Sequence, residues 1–173
     1  MRLSVNFLAT LQRLLMHTEH VQEQAQEHSA KTKKSARLAA MNLLARREHS
    51  DKELKQKLML RNFSAQDADQ ALTTLQQDGL QSNRRFTENY IRYRAQKGFG
   101  PIKIQHELKQ KGVDHTLIQE LMTAWDQQWP DIMQQAAYKY TSNYQLLPCA
   151  DKLKLHRFLQ QRGFPHDLIH AYT

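Results

Sequence analysis

A pattern that returns every fifty residues constrains this chain more than any other feature. It runs through Leu54, Leu58, Asn62 and Phe63, then Ile104, Leu108, Gly112 and Val113, and finally Leu155, Leu159, Gly163 and Phe164. The offset is 50 residues, then 51. In each copy, apolar residues four apart share one face of a helix. A Gly or Asn then supplies the left-handed conformation that ends the helix, and an apolar residue follows the turn. Self-similarity at this period predicts a modular all-α array, an elongated helical solenoid, rather than one compact enzyme core.

The remaining sequence divides around these copies. Residues 1–34 read as an N-terminal helical arm, with Phe7, Leu8, Leu11, Leu14 and Leu15 on one side, followed by a basic linker. Three three-helix repeats follow, at 35–79, 80–130 and 131–173. In the first, Leu38, Met41, Leu44 and Ala45 have helical spacing, and Ser50 with Glu53 forms a capping box in which each satisfies the other's amide. Ser64 caps the next helix. In the second, Ser82 or Asn83 caps a helix carrying Phe86, Tyr90, Ile91 and Tyr93. Gly98 and Gly100 break it, and Pro101 opens the following helix. The third begins near Asp131 with a helix from Ile132 to about Tyr144, and Asp151 caps the next.

With 5 Gly and 4 Pro in 173 residues, a sheet rich in tight turns is excluded. No stretch approaches the roughly 18 apolar residues of a membrane span. Polar residues interrupt Met1–Met16, against a secretion signal. Cys149 is the single cysteine, so no internal disulfide forms, and a reducing cytoplasm is the expected location.

Charge is uneven. Lys and Arg total 25 against 17 Asp and Glu. Residues 31–61 hold ten Lys or Arg against three acids, residues 84–111 hold eight against two, and residues 62–83 hold none against three. Such clustering is the footprint of a phosphate-rich or nucleic-acid partner. The candidate contacts are Arg46, Arg47, Arg84, Arg92, Arg94, Lys97 and Lys103, because their charged heads should stay in water. Phe86, Tyr90 and Tyr93 interleave with these arginines, as base-stacking residues would, although spacing places Phe86 and Tyr90 in the core.

Catalytic patterns are missing. The nine histidines show no ligand spacing, and His166 and His170 stand four apart with no HExxH around them. No phosphate-cradling GxxxxGK[ST] or GxGxxG occurs. The expectation is a binding protein that is no enzyme, with no metal, no cofactor and no small-molecule substrate.

The residues also resemble a known family. Leu43-Leu44-Ala45-Arg46-Arg47-Glu48-His49-Ser50 with Glu53-Leu54 and Lys57-Leu58 is similar to the opening motif of RecX regulatory proteins. So are Arg85-Phe86, Tyr90, Arg94, Lys97-Gly98-Phe99-Gly100-Pro101, Ile104, Glu107-Leu108 and Lys111-Gly112-Val113. Lys154-Leu155 to Arg162-Gly163-Phe164 resembles the third repeat of that family. The family often carries an acid shortly before its Arg-Phe pair, where this chain has Asn83. The resemblance implies tandem three-helix repeats. It also implies a monomer that binds the RecA–DNA nucleoprotein filament and inhibits RecA's ATPase, strand-exchange and co-protease activities, modulating DNA repair, recombination and the SOS response. The DNA, single- or double-stranded, would be met directly or within the filament. Gly98, Gly100, Pro101 and Gly112 are then assigned to shape. Two other readings fit the charge and the grooves: a RecA-independent nucleic-acid-binding helical module, and an adaptor for a partner helix.

Overall fold

The computed structural model describes residue 31, residues 36–141 and residues 147–172. The arm, apart from residue 31, lies outside the described residues. Helix α1 spans residues 36–44. It is followed by α2 (Asp51–Met59), α3 (Ala65–Gln77), α4 (Asn83–Gln96), α5 (Pro101–Gln110), α6 (His115–Thr123), α7 (Trp129–Tyr140), α8 (Cys149–Gln161) and α9 (His166–Tyr172). A single 3-10 turn, Asp126–Gln128, leads into α7.

The fifty-residue pattern is a repeated piece of hydrogen-bonding chemistry. At the end of α2, Phe63 N–H donates to the Leu58 carbonyl (3.3 Å) and Asn62 N–H to that of Met59 (3.0 Å). At the end of α5, Val113 donates to Leu108 (3.1 Å) and Gly112 to Lys109 (3.0 Å). At the end of α8, Phe164 donates to Leu159 (3.2 Å) and Gly163 to Gln160 (2.9 Å). These are three Schellman motifs, which satisfy carbonyls a helix end would otherwise orphan. Each needs a left-handed residue, and Asn62, Gly112 and Gly163 have φ of 65°, 81° and 86°. The apolar pair of each copy is fully buried: Leu54 and Leu58, Ile104 and Leu108, Leu155 and Leu159.

Helix starts are equally legible. Ser50, Ser64 and Ser82 accept from the backbone N–H three residues on, and Asp114 accepts from Thr116 and Leu117. Helix α5 has no side-chain cap, only Gly100 before Pro101.

Each triplet of helices encloses its own apolar core. Ala36, Ala40, Leu58, Ala68, Ala71 and Leu75 pack in the first, with Leu43, Leu54 and Leu72 beside them. Phe86, Ile91, Ile104, Leu108, Val113, Ile118 and Met122 fill the second, and Trp129 of α7 joins them. Met133, Ala136, Ala137, Leu155, Leu159, Phe164 and Ile169 fill the third. The array is all-α, as the sequence pattern requires.

Several local expectations are corrected. Leu38 is 59% exposed, and α1 instead buries Ala36, Ala40 and Leu43. Two alanines on that stripe let α1 approach its neighbours closely. Glu53 N–H donates the cap bond to Ser50 Oγ, but the Glu53 carboxylate does not return to the Ser50 amide and turns instead to Arg47 and Lys111. Helix α7 starts at Trp129, with Pro130 inside its first turn where no amide is required, and ends at Tyr140. Helix α8 is preceded by Pro148, so Asp151 sits in its first turn and pairs with Lys154 at 2.8 Å.

Ser50 does double duty. Its Oγ accepts from Glu53 N–H (3.1 Å) and donates to the Lys111 carbonyl 61 residues away (2.8 Å). Ser50→Ala removes a cap and leaves the part-buried Lys111 carbonyl without its donor. We expect a loss of about 2 kcal/mol, read from a urea midpoint.

Candidate nucleic-acid and filament interface

The junctions between helix triplets bring the basic residues together. Both use one device: the N-terminus of a second helix meets the C-terminus of the next triplet's second helix. At the first junction, Ser50 Oγ and Lys52 Nζ donate to the carbonyls of Lys111 (2.8 Å) and Gln110 (3.1 Å). At the second, Gly100 N–H and Ile102 N–H donate to the carbonyls of Arg162 (2.8 Å) and Gly163 (3.1 Å), and Lys103 Nζ to Gln161 (3.3 Å). Helices α8, α5 and α2 therefore queue head to tail. The partial negative charge of each C-terminus faces a neighbour's positive N-terminus, with a lysine added.

Close approach is what the glycines provide. A Cβ on Gly112 would come within 2.8 Å of the Lys52 side chain. One on Gly100 would lie 2.6 Å from Phe164 N, and one on Gly163 would lie 2.5 Å from Lys103 N. Gly98, at φ 74°, sits against Ala136 and Arg162.

The first junction is otherwise polar. Arg85 Nε donates to Glu48 at 2.9 Å, Asn83 Oδ1 accepts from Asp51 N–H at 3.1 Å, and Gln81 Nε2 reaches the His49 carbonyl at 3.3 Å. Asn83 thus serves as a junction acceptor inside α4, and Ser82 provides the cap. His49 is buried and held by its Nδ1–H donating to the Arg47 carbonyl at 2.9 Å. Burial lowers its pKa, keeping the ring neutral in the fold.

An unbroken series of side-chain contacts links the two junctions. Arg47 pairs with Glu53 at 3.1 Å, and Glu53 with Lys111 at 2.5 Å. The Lys111 ammonium lies 5.2 Å over the Tyr90 ring, and Tyr90 OH donates to Glu107 at 2.9 Å. Glu107 is gripped by both guanidinium arms of Arg94, which lies 3.6 Å over the Phe99 ring. Lys103 and Arg162 are each 5.0 Å from the same ring. Lys97 reaches toward Tyr93 at 5.7 Å. Six basic residues on this track face two carboxylates, Glu53 and Glu107, each already claimed.

The predicted contact residues separate on inspection. Arg46 and Arg92 are exposed; Arg46 has no ion pair among the described residues, and Arg92 meets only Asn89 at 3.3 Å. Lys97 is exposed and Lys103 half-buried. Arg47 is exposed but shares Glu53. Arg84 is paired with Glu120 at 2.6 Å, which raises its pKa further. Arg94 does not keep its head in water: only 18% of its side chain is exposed, and it is locked to Glu107. Its planar fork and its place on Phe99 make it a clamp. Lys111 and Arg162 were not among the predicted contacts. Arg61, Lys111 and Arg162 all immediately precede the left-handed residue of their copy, and that recurrence was the available signal.

Burial acts to raise the Glu53 carboxyl, but the hydrogen bond and charge of Lys111, with Arg47, outweigh it and hold it low. Burial and the hydrogen bond to Glu107 push the Tyr90 phenol up to about 12. Ultraviolet titration should therefore leave one tyrosine unionised at pH 11. Tyr90→Phe should abolish that late phase, and an unchanged profile would remove Tyr90 from the bonded network.

Among the described residues, no three His, Cys, Asp or Glu side chains converge as metal ligands would, and no helix is long and apolar enough to cross a membrane.

Comparison with known proteins places this arrangement. The family model for the first three-helix domain of RecX matches residues 36–75, and that for the second matches residues 82–122. The regulatory protein RecX of Legionella pneumophila strain Corby is 41% identical over 131 residues, 76% of this chain and 87% of that protein. That of Haemophilus influenzae strain PittEE is 38% identical over 130 residues, covering 73% and 85% respectively. The crystal structure of RecX from Lactobacillus salivarius superposes with a TM-score of 0.71 at 21% identity, covering 82% of this chain and 94% of that one. With two RecX three-helix domains matched and this identity over most of its length, the chain belongs to the RecX family of regulatory proteins.

Proposed function

We propose that this protein binds the RecA–DNA nucleoprotein filament and inhibits the recombinase, its ATPase and its co-protease function. The observation that carries the reading is the basic track spanning both junctions. Its paired carboxylates leave an excess of positive charge along one run of the array. A helical filament presents phosphate and acidic protein surface at regular intervals, and a rigid row of cations meets it without reorganisation. Arg46, Arg92, Lys97 and Lys103 make the contact, and Arg94, Lys111 and Arg162 hold the scaffold and add field. Arg47 contributes at the edge of the first junction. Arg84, committed to Glu120, contributes least.

The test is RecA's ATPase rate on single-stranded DNA, with this protein titrated from well below to above the RecA concentration. Inhibition below equimolar ratio is expected. Inhibition only as the DNA becomes saturated with this protein would favour a nucleic-acid-binding module that acts without RecA. No inhibition at any ratio would overturn the reading.

A further inference from the structure

Between the first and second triplets lies a cavity of about 560 Å³. Phe86, Tyr90 and Tyr93 form one wall, Arg47 and Lys111 stand at another, and Glu48 and Asn89 complete the lining. Its chemistry is that of neither a core nor a plain salt-bridge cleft. Tyr93 is 56% exposed, an aromatic face held open to solvent in a helix whose other aromatics are inward. Beside it, Phe86 and Tyr90 are stacked in a tilted pair with centroids 5.7 Å apart. Glu48 gives one carboxylate oxygen to Arg85, while its Oε2 is buried with no partner. A buried acceptor left unpaired is costly, and a turn of the Glu48 carboxylate, whose side chain is 26% exposed, would bring it to a donor in the cavity.

We propose that this cavity takes one unstacked base of a single DNA strand. The base lies against Tyr93, its amino or imino edge meets Glu48 and Asn89, and a flanking phosphate meets Arg47 within the field of Lys111. Aromatic faces accept any base, cations take the backbone, and a carboxylate accepts from base N–H groups. A duplex keeps its bases stacked and cannot enter, so the site selects single strands. The inference rests on the filament reading to the extent that the strand is the one RecA carries, but the pocket acts on bare DNA as well.

Equilibrium binding of the full chain to a 15-nucleotide single strand, to the same strand with abasic sugars throughout, and to a duplex of that length separates base from phosphate recognition. The base-bearing strand should bind about ten-fold or more tightly than the abasic one, and the duplex should resemble the abasic strand. Tyr93→Ala should erase that difference, and Tyr93→Phe should keep it; the exposed position of Tyr93 leaves the fold intact, which the helical signal checks. Equal affinity for base-bearing and abasic strands would overturn the pocket. So would a Tyr93→Ala loss equal on both. Base-dependent binding with no effect on RecA would keep the pocket and defeat the filament reading, whereas RecA inhibition with no base dependence would do the reverse.

Discussion

Gly163→Ala should be among the most destabilising single substitutions in this chain, costing about 3 kcal/mol and lowering the melting temperature by roughly 6–12 °C. Two causes add. Gly163 has φ 86°, where a side chain is strained. Its Cβ would also lie 2.5 Å from Lys103 N and 3.0 Å from Lys103 Cα, atoms of backbone that cannot swing aside. The damage spreads because the Gly163 carbonyl accepts from Ile102 N–H (3.1 Å), so opening the gap breaks the second junction. Gly100→Ala meets the same wall from the other side, 2.6 Å from Phe164 N. Gly79→Ala is the matched control: φ is 68°, but nothing lies within 4 Å. It should cost only about 1 kcal/mol, the strain alone. Thermal melts followed by helical circular dichroism compare the three. A Gly163→Ala melt as mild as that of Gly79→Ala would mean that the junction is not closely packed.

The second large effect is functional. The double charge reversal Lys97→Glu with Lys103→Glu should weaken binding to RecA filaments on the order of 100-fold near 0.1 M salt. The log–log salt dependence should flatten by about two, one for each phosphate contact removed. Both lysines sit at the second junction, one over Tyr93 and one over Phe99, with Arg162 nearby. Lys103 also donates to the Gln161 carbonyl, so a melt of the variant separates lost contact from lost stability. Arg84→Glu should do far less to binding, because that guanidinium already faces Glu120 and Glu88. Equal losses from the two changes would mean that net charge alone, rather than the track, governs binding.

Much of the fold was legible because its signals are local. An apolar pair four apart, a left-handed residue and an apolar residue after it define a Schellman end from the backbone's own geometry, and three copies in register leave little choice. Serine caps were read for the same reason. Legibility fell where tertiary contact decides. Small alanines, not Leu38, face the core from α1, because the approach distance between helices is not written in one helix's periodicity. Arg94 looks like any exposed arginine in sequence. Only the fold brings Glu107, 13 residues on, within reach of both guanidinium arms. Glu53 reads as half of a capping box until Lys111 arrives from the next triplet. The basic character of the site was visible as clustered charge, and the RecX resemblance supplied the family. Which cations are spent on internal pairs, and that Lys111 and Arg162 join the track, follows from junctions linking residues about 58 apart, such as Lys52 with Gln110 and Lys103 with Gln161.

If the track across the two junctions meets the filament, residues on it must lie within reach of RecA or the strand. A photocrosslinking residue at position 97, and a control at position 76 in α3 away from the track, test it most directly on preformed RecA filaments carrying single-stranded DNA. Crosslinks from position 97 to RecA or to the strand, with only background from position 76, are predicted. Crosslinking from position 76 as strong as that from position 97 would contradict the account.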